Sequence, residues 1–142
     1  MTFEEANELR GNIDYGEGRE FSVNCQSCVV ANELRRRGYD VTALPNLKKA
    51  GNIPYELSGK TNWAWIDPET MQTPEKKQAG GQYVSGLDIK SKTLAQLNKE
   101  LNELTKAAGR YHIDFIWKNG KGGHIITVDR LENGSIRTVS YT

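Results

Sequence analysis

Asn24-Cys25-Gln26-Ser27-Cys28-Val29-Val30-Ala31-Asn32-Glu33-Leu34-Arg35-Arg36-Arg37-Gly38 predicts a single helix with a thiol in its first turn. Asn24 is a favoured N-cap, Gly38 suits the left-handed position after the last turn, and three arginines near the end complement the helix dipole. Val30, Ala31 and Leu34 fall on one face at helical spacing, with Cys28 beside Ala31, so this helix is expected to pack into the core. Cys25 lies where unpaired backbone N–H groups and the positive dipole end favour thiolate over thiol.

Upstream, Thr2 to Arg10 reads as a short helix, since Thr2 and Glu5 have capping-box spacing and Gly11 follows as a stop. Residues 11–19 form a loop, and Glu20-Phe21-Ser22-Val23 a short extended piece leading into the thiol helix. Downstream, Tyr39 to Leu44 alternates as a strand that Pro45 ends. From Asn46 to Ile89, prolines and glycines break every run. Trp63, Trp65 and Ile66 there fit either an inserted strand or the wall of a cleft.

Order returns at Thr93, an N-cap with Gln96 at the capping-box position. Leu94, Leu97, Leu101, Leu104 and Ala108 form an apolar stripe, and Gly109 closes the helix. Three strands follow. In the first, Tyr111, Ile113, Phe115 and Trp117 share one face, and His112, Asp114 and Ile116 the other. After the turn 119–123 comes His124 to Arg130, then Asn133-Gly134 as a hairpin signal and Ser135 to Tyr141 as the returning strand. Helices first and an antiparallel sheet last make an α+β class, and 142 residues suit one domain over 1–142.

A formal net charge of +1 gives no global argument for nucleic acid or an acidic membrane surface. No apolar run is long enough to span a bilayer, and the first residues lack the basic and apolar regions of a signal peptide. Two cysteines three apart make no disulfide framework, so a reducing compartment is the simpler expectation. No cofactor is expected.

A helix-borne cysteine needs a base, and the chain has two histidines. His124 follows Gly122-Gly123 at a strand head, where small residues leave its ring accessible; His112 sits among large side chains beside Asp114. His124 is therefore the expected partner, giving the thiolate–imidazole pair of acyl transfer. The plainer alternative makes Cys28 a core residue and His124 a turn-end residue without chemistry.

Residues 24–45, from Asn-Cys-Gln-Ser-Cys to Ala-Leu-Pro, resemble the cysteine segment of papain-fold toxin domains, found at the ends of bacterial polymorphic toxins and in some phage head-morphogenesis proteins. Gly109-Arg110-Tyr111, Trp117 and Gly123-His124-Ile125 are similar to that family's histidine segment. The resemblance implies a papain-like α+β core and a Cys–His–acid site acting as a hydrolase on a glutamine side-chain amide, a glutamine deamidase. It also implies a target protein bearing a reactive glutamine, often a cognate immunity protein, and an effector acting in the target-cell cytoplasm or associated with a phage particle.

Carried onto this chain, the nucleophile is Cys25 by its place at the helix mouth. Alignment with papain's own Cys-Gly-Ser-Cys would make it Cys28. A two-residue hairpin at Asn133-Gly134 pairs Val128 with Val139 and sets His124 opposite position 143, with Tyr141 diagonal to it. Either the third catalytic group lies beyond this stretch, or Tyr141 or a residue from elsewhere, such as Asp114, takes its place, or the site is degenerate. Gln26 is a candidate oxyanion donor, the alternative being an exposed first-turn residue. Trp63, Trp65 and Trp117 are candidates for a substrate groove, the alternative being ordinary packing. Arg35, Arg36 and Arg37 need no more than the helix-end charge to explain them. Peptide hydrolysis or transglutaminase-like acyl transfer would use the same thioester. Rival readings are a thioredoxin-like Cys25-x-x-Cys28 redox protein, a zinc-holding module using Cys25, Cys28, His112 and His124, and an inactive binding module.

Overall fold

The computed structural model describes residues 2–8, 12–58, 60–74, 94–116 and 122–140. Helix α1 (Phe3–Glu8) begins in the expected capping box: Thr2 N–H donates to Glu5 Oε2 at 2.7 Å, and Glu5 N–H to Thr2 Oγ1 at 3.2 Å. Helix α2 (Cys25–Arg36) is the thiol helix. It ends in a Schellman motif, with Gly38 at φ +97°, its N–H donating to Arg35 O and the N–H of Tyr39 to Leu34 O.

Two segments beside α2 differ from expectation. Residues 20–23 are not extended: Arg19–Phe21 is a 3₁₀ turn, whose Glu20 carbonyl accepts from the Asn46 N–H. Tyr39 to Leu44 alternates in burial, with Ala43 buried and Val41 half-buried, yet it is no strand. Side chains of α2 and of its N-cap Asn24 take its carbonyls instead. Arg35 Nη1 donates to Val41 O, while Ser27 Oγ and Asn24 Nδ2 both donate to Leu44 O.

The middle third holds helix α3 (Ile53–Glu56), with Pro54 in its first turn, and a 3₁₀ turn at Thr61–Ala64. Trp63 lies in that turn and Trp65 just beyond it, so neither belongs to an inserted strand. Helix α4 (Leu94–Leu104) ends one turn earlier than its stripe implied, leaving Ala108 exposed. Buried Thr105 folds its hydroxyl back on Leu101 O at 2.7 Å, and Gly109 opens a strand rather than closing the helix. The expected cap Thr93 and the side chains of Leu94 and Leu97 lie outside the described residues.

Strands β1 (Gly109–Ile116), β2 (Gly123–Arg130) and β3 (Ile136–Val139) form an antiparallel sheet in the order β1-β2-β3. The β2–β3 register differs by one residue from the two-residue hairpin. Thr127, not Val128, stands opposite Val139, and Asp129 opposite Arg137. The loop takes three residues, Glu132 to Gly134: Leu131 N–H donates to Ser135 O, and Gly134, at φ +83°, donates to Leu131 O. Asn133 Oδ1 accepts from both the N–H and the hydroxyl of Ser135, which favours the longer turn.

α2 lies on one face of this sheet. Cys25 and Val29 pack with Ile125, while Cys28 and Ala31 pack with Ala43 and Val41; burying a whole aliphatic side chain of this kind contributes about 1.5–3 kcal/mol. The arginines do more than complement the dipole. Arg35, 2 % exposed, ties α1 to the following segment through Ala6 O and Val41 O. Arg36 pairs with Asp129, and Arg37 with Glu33. On the far face, Arg130 donates to Thr105 O, Asn102 Oδ1 and Gly134 O, clamping the end of α4 and the hairpin together. Among the described residues no helix is long and apolar enough to cross a membrane.

Candidate active site

Cys25 stands in the first turn of α2 because Asn24 fixes the chain there by an unexpected route. Its side chain makes no cap bond. It forms a reciprocal amide pair with buried Asn12, 3.0 and 3.2 Å, which fastens the 12–23 loop to the helix mouth. Asn12 was not legible as a partner because the pairing spans twelve residues of loop.

The two thiols differ in setting. Cys28 is 2 % exposed among Ala31 and Ala43, and burial, with Cys25 beside it, pushes its pKa up to about 12. It is a protonated core thiol that contacts Asn24 Oδ1 at 3.6 Å. Cys25, at 8 %, lies nearer the surface, and its Sγ hydrogen-bonds Gln26 Oε1 at 3.5 Å. Gln26 is thus half-buried beside the thiol, not simply exposed.

Strand alternation decides which groups share the α2 face. Ile125 touches Cys25, and Asp129 bonds Arg36, so Ile125, Thr127 and Asp129 point towards the helix. Across β1 the same face carries Asp114, His112 and Arg110, their register partners. His124 therefore belongs to the other face, with Phe115 directly opposite and Ile126 and Val128 following. Its ring stands edge-on to Phe115, centroids 5.7 Å apart, and Nε2 lies 2.7 Å from Ser140 Oγ. Burial lowers its pKa, favouring the neutral imidazole.

The structure thus brings Cys25 and His124 to the same end of the α2–β2 pair, since Cys25 packs on the residue next to His124, but it does not join them. Asp114 belongs to the opposite face of the sheet from His124. Tyr141 and Trp117 lie outside the described residues. Once the three-residue turn shifts the register, the residue diagonal to His124 becomes Ser140, which sequence reading missed because it depended on turn length.

His112 occupies a different neighbourhood, towards the C-terminal end of α2. Burial lowers its pKa, partly offset by the nearby Glu33 carboxylate. Its ring tilts against Trp65 at 6.3 Å, and the Arg37 guanidinium lies 5.6 Å over the same Trp65 ring. Glu33 joins this group by accepting from Arg37 and, with both oxygens, from Arg110. Burial alone would raise the Glu33 pKa, but the bonds from Arg110 and Arg37 outweigh it and hold the carboxyl below its ordinary value.

Trp65 thus sits by Arg37 and His112. Trp63 is 64 % exposed under the Lys60 ammonium. The depression lined by Gln96, Lys99, Glu100, Glu103 and Leu104 runs along α4 and holds no cysteine or histidine.

The rival chemistries fare differently. His112 and His124 occupy opposite sheet faces, so they and the two cysteines cannot ligate one zinc ion, and no metal-ligating cluster exists among the described residues. A thioredoxin-like site needs a parallel strand before its cysteine helix, whereas here a 3₁₀ turn precedes α2 and the sheet is antiparallel. Compared with known proteins, the chain matches no family model, no curated protein and no solved structure.

Proposed function

We propose that the chain is a papain-like, cysteine-dependent amide hydrolase acting on a glutamine side chain of a target protein, a toxin or effector activity. One observation supports it above others: Cys25 opens α2 against Ile125, so the thiol and the strand head bearing His124 lie together at one end of the helix–sheet layer. Inner-face position 123 is glycine, which puts no side chain between the strand head and the thiol. Gly122, at φ +84°, gives that head a flexible approach.

In this reading the first residues of β2 turn so that the imidazole meets the thiol. His124 takes the Cys25 proton, and the sulfur attacks the glutamine amide carbon. His124 returns the proton to departing ammonia, and water then cleaves the thioester, leaving glutamate and the free thiol. The enclosure of Cys28 among Ala31 and Ala43 supports Cys25 over Cys28 as the nucleophile. A cognate immunity protein would be the natural partner of such an activity.

A second reading, a binding module without catalysis, is favoured by the position of His124 on the face away from Cys25. Ammonia release from unstructured glutamine-bearing proteins separates the two. The hydrolase reading expects release that Cys25→Ala and His124→Ala abolish and Cys28→Ala keeps. Failure of every such substrate, with Cys25 alkylation indifferent to His124→Ala, would establish the binding module instead.

A further inference from the structure

The head of β2 is pinned from two sides. Phe115 on β1 presents its ring edge-on to His124, and Ser140, immediately after β3, reaches Nε2 at 2.7 Å. Extending the β2–β3 register by one pair sets Ser140 opposite Ile126, which makes it the diagonal neighbour of His124 on the same face. The hydroxyl suits either imidazole tautomer, since it can donate to Nε2 or accept from Nε2–H. Among the described residues, the outer-face neighbours Phe115, Ile113, Ile126 and Ser140 carry no charge.

We propose that Ser140 and Phe115 form a latch that holds the His124 ring on the sheet face away from Cys25, so that the described arrangement is a latent state. The inference rests on the hydrolase reading for its catalytic consequence, but the latch itself is a statement about β2. Opening it breaks the His124–Ser140 bond and frees the first two ladder positions, Gly123 opposite Ile116 and His124 opposite Phe115. The glycines before His124 let those residues leave the sheet with little steric resistance. Loss of one hydrogen bond shifts such an equilibrium about fivefold.

The test compares wild type, Ser140→Ala and Ser140→Thr as the full chain, each with and without His124→Ala. Two readouts are taken: amide hydrogen exchange at Gly123 and His124, and the rate of Cys25 alkylation by iodoacetamide. Ser140 is exposed, so its truncation leaves the fold intact. The latch expects Ser140→Ala to raise both about fivefold, Ser140→Thr to match wild type, and the gain in alkylation to vanish with His124→Ala.

If exchange rises while alkylation ignores His124 in every background, the latch stands and the hydrolase reading falls. If wild-type alkylation depends on His124 but Ser140→Ala changes neither readout or slows alkylation, the latch is overturned and the hydrolase reading survives.

Discussion

Arg36 Nη1 lies 2.7 Å from Asp129 Oδ2, and this helix-to-sheet ion pair locks the second half of α2 onto β2. Asp129 is 3 % exposed and also accepts from Arg137 at 3.2 Å, so its removal leaves the largely buried Arg36 guanidinium without its carboxylate, while Arg137 keeps its pair with Glu4. Asp129→Ala is expected to cost about 3–5 kcal/mol, read as a lowered urea midpoint at unchanged slope. Glu4→Ala removes only the largely exposed pair with Arg137 and should cost less than about 1 kcal/mol. Equal costs for the two would show that burial does not govern this network.

The thiols should separate under a limiting alkylating probe. Cys28 combines near-complete burial with a pKa of about 12, so it reacts only when the chain unfolds, whereas Cys25 reacts in the native protein. Peptide mapping after labelling, with and without denaturant, reads this directly. Native labelling of Cys28 at the rate of Cys25 would contradict the packing of Cys28 between Ala31 and Ala43.

The three-residue hairpin makes its own demand on Gly134, which sits at φ +83°. Gly134→Ala should cost about 1–2 kcal/mol, and Gly134→Asn less, since asparagine tolerates the left-handed region. Cross-strand nuclear Overhauser effects should join Thr127 with Val139. Finding Val128 opposite Val139 instead would restore the two-residue turn and take Ser140 away from His124.

Acid should destabilise the protein in two steps. His112 is held neutral by burial, its folded pKa below the ordinary value of about 6.5. Its contribution is therefore complete above that value and is lost as pH falls through the lower folded value. Glu33 is depressed in the same sense, from an ordinary value of about 4.3, and the stability given by Arg110 and Arg37 is lost at still lower pH. Urea midpoints measured against pH should show His112→Gln shrinking the first step, the remainder belonging to His124, whose pKa burial also lowers, and Glu33→Gln shrinking the second. A pH-independent midpoint across both windows would rule out these assignments.

Local chemistry was the legible part of this chain. The Thr2–Glu5 box, the Gly38 stop and the antiparallel order of three strands follow from residues within one or two turns of each other. What escaped depended on distance in sequence. Tyr39 to Leu44 has the alternation of a strand, but Arg35, Ser27 and Asn24 take its carbonyls before any strand can. Asn133-Gly134 marks a hairpin correctly and its length wrongly, because Ser135 bonds back to Asn133. That single residue of slip replaces Tyr141 with Ser140 beside His124. Glu33 gave no hint of its pairing with Arg110 on β1.

Eight of the twelve residues of α2 are buried, polar Asn32, Glu33 and Arg35 among them. Such a helix has almost no face left on which mutations are silent, and the residues around its thiol also hold the chain together. Variation within a lineage of such chains would therefore collect elsewhere, at exposed positions such as Leu47 to Gly51 and Pro68 to Met71 and along the outer side of α4. The thiol helix itself would drift slowly whether or not it catalyses anything. A conserved Asn-Cys-Gln-Ser-Cys run in related chains would, on its own, testify to folding before chemistry.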